Sequence, residues 1–219
     1  MKKNLFLPAT LLSVLSVTVL ADEPRMTKII SRIISDSMPT GSFAAKPKTL
    51  YRSGDKYSRT EEELNVQDGI HALLITNEPD TWMINLADKT GRHIVDPGPT
   101  FFVHAPIVWI PALNGQPEQN KDFKDLEYGN ETKFFRGHNA SSVGTRVIDG
   151  KNCNTLSIRK DDREFVLFIT ADEGKPRQLD VIKNNKNEYS IRYLVYETNL
   201  PFRKSFFQPP KGLKITEAK

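Results

Sequence analysis

Residues 163–198 constrain the fold most, because three β-type runs are joined there by two short turns. Phe165-Val166-Leu167-Phe168-Ile169 and Tyr189-Ser190-Ile191-Arg192-Tyr193-Leu194-Val195-Tyr196 are rich in β-branched and aromatic side chains, with residues 179–182 between them. Such side chains suit a pleated, half-covered surface. Asp172-Glu173-Gly174 and Asn184-Asn185 tolerate a positive φ or bond their own backbone, so the chain can reverse at both places. The segment predicts an antiparallel meander. Alternation sends Tyr189, Ile191, Tyr193 and Val195 to one face and Ser190, Arg192, Leu194 and Tyr196 to a mixed one. The apolar face must be covered by packed chain, by a greasy ligand, or by both.

Residues 1–21 begin with Lys2 and Lys3, run apolar from Leu5 to Leu20, and end in Val19-Leu20-Ala21 before Asp22-Glu23. That is the pattern of a secretory signal peptide, and it is short and poorly flanked for a membrane anchor. The expectation is a cleaved leader over 1–21 and one domain over 22–219, periplasmic and without a transmembrane anchor after processing. Losing Lys2 and Lys3 takes 31 basic residues to 29 against 27 acidic ones, a net charge of +2. Such a balance gives no support for a nucleic-acid partner. Cys153 is the only cysteine, so no internal disulfide forms and packing must hold the fold.

Residues 22–38 carry Met26, Ile29, Ile30, Ile33, Ile34 and Met38 at helical spacing, with Asp22 and Pro24 placed to start a helix and Pro39 and Gly41 to end it. An amphipathic N-terminal helix is expected. Hairpins follow around Ser53-Gly54-Asp55, around Asn77-Glu78-Pro79-Asp80, after Asp88-Lys89-Thr90-Gly91, and around Asp149-Gly150-Lys151-Asn152. Residues 96–113 differ in kind, because Phe101, Phe102, Val103, Ile107, Val108, Trp109 and Ile110 stand among prolines that prevent a long helix or a central strand. This insertion is either a buried crossing or a flap over an apolar cavity. The fold class expected is α+β: roughly nine or ten antiparallel strands in a strongly curved sheet, an incomplete β-barrel, with the N-terminal helix and the irregular apolar insertion covering its concave side.

The residues offer little for catalysis. His71, His93, His104 and His138 stand singly, without metal-ligand spacing among themselves or with Cys153. No G-x-S-x-G, H-E-x-x-H or phosphate-cradling glycine loop occurs. Glu61-Glu62-Glu63 and Asp161-Asp162 are neighbours whose side chains point to opposite faces of a strand. No enzyme, catalytic residue, metal or cofactor is expected.

The C-terminal Phe206-Phe207-Gln208-Pro209-Pro210-Lys211-Gly212-Leu213-Lys214-Ile215 resembles the F-x-P-P-x-G-hydrophobic tail of the periplasmic lipoprotein-carrier (LolA-like) superfamily. Leu50-Tyr51-Arg52-Ser53-Gly54-Asp55-Lys56-Tyr57 is similar to that superfamily's early, arginine-bearing strand, and Asp80-Thr81-Trp82-Met83-Ile84 to its tryptophan-bearing one. Gly150-Lys151-Asn152-Cys153 resembles a turn of related periplasmic proteins. The resemblance implies a half-open barrel whose apolar interior receives acyl chains. It implies a soluble periplasmic carrier or binding protein for a lipid or lipidated protein, of the kind that sorts outer-membrane lipoproteins. The alternative is an envelope-sensing module whose groove receives a protein partner. The ligand-binding residues expected on this footing are Arg52, Trp82, Ile84, Phe101, Phe102, Ile107, Trp109, Phe168, Ile191 and Tyr193. The resemblance gives Arg52 a role in holding the lid over the cavity. The other reading of Arg52 is a surface residue paired with one of Glu61, Glu62 or Glu63.

Overall fold

Short reversals at left-handed residues divide the chain into two meanders. The computed structural model describes residues 25–39, 41–100, 103, 105, 107, 125–160 and 162–218. The first meander comprises β1 (Arg25–Ile34), β2 (Lys48–Ser53), β3 (Tyr57–Glu62), β4 (Ala72–Asn77), β5 (Asp80–Asn85) and β6 (Thr90–Val95). The second follows a short helix, α1 (Glu131–Gly137), and comprises β7 (Ser141–Ile148), β8 (Lys151–Lys160), β9 (Arg163–Thr170), β10 (Pro176–Lys183) and β11 (Lys186–Pro201). A C-terminal β12 (Lys214–Glu217) completes the set. Asn184 and Asn185, with φ of 50° and 60°, turn β10 into β11 as their side chains allow.

The strands form one sheet in the order β12-β6-β5-β4-β3-β2-β1-β11-β10-β9-β8-β7. It is strongly curved and does not close, an incomplete barrel as expected from the hairpin-rich sequence. The meanders meet where β1 pairs with β11, and every pairing is antiparallel except that of β12 with β6. We call the face that carries α1 the inner face.

The expected N-terminal helix is corrected: residues 25–34 are a strand at the middle of the sheet. Apolar doublets at 29–30 and 33–34 fit a helical stripe, but they fit equally a central strand covered on both faces. Ile29, Ser31 and Ile33 stand opposite Leu50, Lys48 and Ile191, and Met26, three residues before Ile29, alternates to the other face and packs there. Cover for the inner face comes from elsewhere. Residues 105 and 107 pair backbone to backbone with 128 and 126, through the Tyr128 amide to the Ala105 carbonyl at 2.9 Å and the Ile107 amide to the Leu126 carbonyl at 3.0 Å. This strap and α1 bury the largest core, which includes Ile29, Leu50, Ile107, Leu126, Phe135, Leu167, Leu179 and Ile191. Val103, Ala105 and Ile107 are all buried, which makes the described part of the insertion a crossing.

The outer face of the first meander is covered by the C-terminal arm. Phe207 is wholly buried and packs with Met26, Leu73, Ile75 and Ile84, while Phe206 lies edge-on to Tyr51. Gly91 lets this arm dock, since a Cβ there would come within 2.9 Å of Ile215 and 3.0 Å of the Met83 carbonyl.

Candidate functional site

A cavity of about 210 Å³ lies on the inner face, walled by β1–β4 and roofed by the strap. Its apolar wall is Ile33, Leu50, Leu74, Ala105 and Ile107. The hydroxyls of Ser31, Ser58, Thr60 and Tyr128 interrupt that wall, and Arg32, Lys46, Lys48 and Glu62 stand at the strand ends around it. Beyond Leu74 the inner face carries further exposed apolar side chains, interspersed with Arg92 and Thr81. Leu74 is directly opposite Met83, and Ile94 stands two residues along β6 from Met83's partner Arg92, with exposures of 39%, 54% and 38%.

The strap is fixed to β2 by Arg52. Its Nη1 donates to Glu127 Oε2 at 2.5 Å and to the Tyr128 carbonyl at 3.1 Å, its Nε to the Gly54 carbonyl at 3.1 Å, and its Nη2 to Asp55 Oδ1 at 3.2 Å. Arg52 and Glu127 are both 7% exposed. Of the two sequence readings of Arg52, pairing with the 61–63 acids does not occur; Arg59 is the arginine that meets Glu61. Position along the strand decides this, because Arg52 and Leu50 share the inner face while Tyr51 faces the arm.

Beneath the strap sits a second buried polar group. Glu131 is wholly buried at the start of α1, and its Oε2 accepts from the Tyr196 hydroxyl at 2.7 Å and the Gly129 amide at 3.0 Å. Burial pushes its carboxyl above the ordinary range, against the hydrogen bonds from Tyr196 and Gly129. Burial likewise raises Tyr193 well above an ordinary phenol and Tyr128 to about 12. The rings form a chain, Tyr128 to Tyr193 at 6.3 Å and Tyr193 to Tyr196 at 5.8 Å. Tyr196 reaches the inner face because β11 bulges between the partners of Ile30 and Ser31, which also turns Val195 away from the face that strict alternation assigns it.

The expected ligand-binding residues divide by face. Arg52, Ile107, Ile191 and Tyr193 come together on the inner side, with Ile107 in the cavity wall. Trp82 and Ile84 are on the outer face beneath the C-terminal arm, where Trp82 stacks on His93 at 5.0 Å. Phe168 is also on the outer face, packed with Cys153, Ile148 and Val166 under Arg146. These three therefore stand off the cavity wall. Phe101, Phe102 and Trp109 lie outside the described residues, as does the leader over 1–21. Sequence reasoning missed Glu127, Glu131, Tyr128 and Tyr196, which follow a polar loop or a bulge and carry no periodic signal. Cys153 is buried, and burial pushes its thiol up. Among the described residues no three His, Cys, Asp or Glu side chains cluster as metal ligands, and no helix is long and apolar enough to cross a membrane.

No protein-family model matches the chain, and no curated protein matches it in sequence. Several solved structures are similar in outline. An uncharacterized conserved protein from Thermus thermophilus has a TM-score of 0.47 at 8% identity, over 90% of this chain and 91% of that one. MucB of Pseudomonas aeruginosa, in its complex with MucA, has a TM-score of 0.47 at 12% identity over 88% of this chain, which spans 58% of the MucB chain. The Mycobacterium tuberculosis lipoprotein LppX has a TM-score of 0.40 at 12% identity, over 81% of this chain and 88% of that one.

Proposed function

We propose that this chain is a periplasmic binding or carrier protein that holds the acyl part of a lipid or lipidated protein on its inner face, by burial and without a catalytic step. The observation that carries the reading is the cavity between β1–β4 and the strap, with its apolar wall and the exposed Leu74, Met83 and Ile94 beside it. At about 210 Å³ it is smaller than the roughly 300–1,000 Å³ of a drug-sized site. It takes the end of a chain, and the remainder lies along the exposed row. Burying about six methylenes contributes roughly 5 kcal/mol, a useful affinity before ordering costs. Export rests on the leader-like pattern of residues 1–21.

The test is native mass spectrometry of the protein purified from an envelope fraction, beside Thr60→Trp, which fills the cavity from its wall. Lipid on the wild type and its loss from the variant are expected. Equal lipid occupancy in both, or a lipid-free protein held in a stable protein complex, would overturn the carrier reading.

A further inference from the structure

His93 stands away from the cavity, on the outer face of β6, and its ring lies between carboxylates from two different elements. Nε2 is 2.8 Å from Asp80 Oδ1 of β5, and Nδ1 is 2.8 Å from Glu217 Oε2 of β12. A neutral imidazole carries one N–H, so one of those carboxylates would meet a ring lone pair. Only the doubly protonated ring donates to both. Trp82, directly opposite on β5, stacks on the ring with centroids 5.0 Å apart and planes 11° apart, a geometry that also favours the cation. Among the described residues, Asp80 and Glu217 are the charged groups that meet the ring. Gly91 and Val95 flank it on β6, Ile215 precedes Glu217 on the same side, and Arg92 points to the opposite face. Burial weakens the ring's hold on its proton, and the two carboxylates more than restore it, so the pKa stands above the ordinary 6.5.

Glu217 is the partner able to leave. Asp80 is held by its neighbours on both sides, Asn77 across the hairpin and Val95 on β6. By contrast, β12 is a four-residue edge strand in the one parallel pairing of the described sheet, with only Ile215 partly buried, and the Glu217 side chain is 73% exposed. Other ties of β12, the Lys214 amide to the Lys89 carbonyl and the Ala218 amide to the His93 carbonyl, do not titrate. We propose that His93 is a pH-sensitive clasp, which docks the C-terminal strand on the sheet while protonated and loosens it, baring the β6 edge, when the proton leaves. By reciprocity, the factor by which docking tightens the ring's hold on its proton is the factor by which loss of that proton weakens docking. Because the docked pKa lies above the undocked one, the clasp's contribution is complete below about 6.5 and is lost as pH rises through the docked value.

In a Trp109→Phe background Trp82 emission reports the ring, because a stacked imidazolium quenches indole more than a neutral imidazole does. Emission should rise between about pH 5.5 and about pH 9, with a midpoint above the ordinary histidine value of about 6.5. Over the same range, amide protection at 214–217, corrected for the intrinsic pH dependence of exchange, should fall roughly fivefold, the effect of about one exposed ion pair, while β9 and β10 stay unchanged. Glu217→Gln, a change at an exposed side chain, presents an amide that can donate to an unprotonated Nδ1. Its protection at 214–217 should be equal at both ends of the range, and its Trp82 midpoint should fall. Wild-type protection of β12 that stays constant while Trp82 titrates, or an identical loss in Glu217→Gln, would overturn the clasp. So would a wild-type midpoint at or below about 6.5.

Discussion

Arg52 and Glu127 form the ion pair that the inner face can least spare, because each is almost fully removed from water and the guanidinium also holds the strap's Tyr128 carbonyl. Removing one member of a buried pair leaves the other's desolvation uncompensated, a loss of about 3–5 kcal/mol. Arg52→Leu should therefore lower stability by that amount in urea melts, while Arg59→Leu, which gives up a partly exposed contact with Glu61 and its place over the Phe206 ring, should cost less, about 1–2 kcal/mol. Equal losses in the two variants would reduce Arg52 to an ordinary surface arginine. Glu131 acts with the opposite sign. Its folded pKa is raised, mainly by burial, so the folded state holds its proton longer than the unfolded chain does. The stability from the neutral form is complete below the unfolded value near 4.5 and is lost as pH rises through the folded one. Glu131→Gln keeps an oxygen to accept from Tyr196 and Gly129. Its melting temperature should match wild type near pH 4 and exceed it at pH 8; a constant difference across that range would assign the effect to packing alone.

At the scale of elements, what the sequence disclosed depended on whether an apolar strand reads as a continuous β-type run or breaks into doublets at helical spacing. The β9–β11 meander and the turns at Gly54, Asp149-Gly150 and Asn184-Asn185 were legible, because turn residues at left-handed φ interrupt β-type runs. β1 was not, since its isoleucine doublets serve both faces of a central strand and imitate a helical stripe. Of the candidate site, Arg52, Ile107, Ile191 and Tyr193 were found and the strap's acids were not. Trp82 and Ile84 went to the outer face because pattern alone does not say which side of a strand an arm will cover, and Phe168 because β9 is apolar on both faces. That arm is itself testable. Gly91 is the close approach between β6 and β12, with Ile215 and the Met83 carbonyl at the position a Cβ would take. Gly91→Val should push β12 off the edge, seen as faster amide exchange at 214–217 with the exchange of β9 and β10 unchanged. Protection of β12 equal to wild type would show that the arm docks without this contact.

Across the whole molecule, the two meanders depend on one strand. β1 pairs with β2 on one side and β11 on the other, so Ile33 meets Ile191 from the far end of the chain and the inner core straddles the junction. Contacts this distant in sequence favour slow folding and a single cooperative unit. Ile29 is wholly buried at the junction, and Ile29→Ala should cost about 2–5 kcal/mol through lost burial and the space left behind. Val147 lies on β7, the free edge at the other end of the order, and is 60% exposed, so Val147→Thr should stay within about 0.5 kcal/mol. The halves can be followed separately in urea. In a Trp109→Phe background, Trp82 emission reports the β2–β6 half, while far-ultraviolet circular dichroism reports every strand. If β1 couples the meanders, both signals from the Ile29→Ala protein will shift together to lower urea and remain superimposable. Trp82 unfolding apart from the circular dichroism would instead mean that each meander stands on its own core, the first on the C-terminal arm and the second on α1.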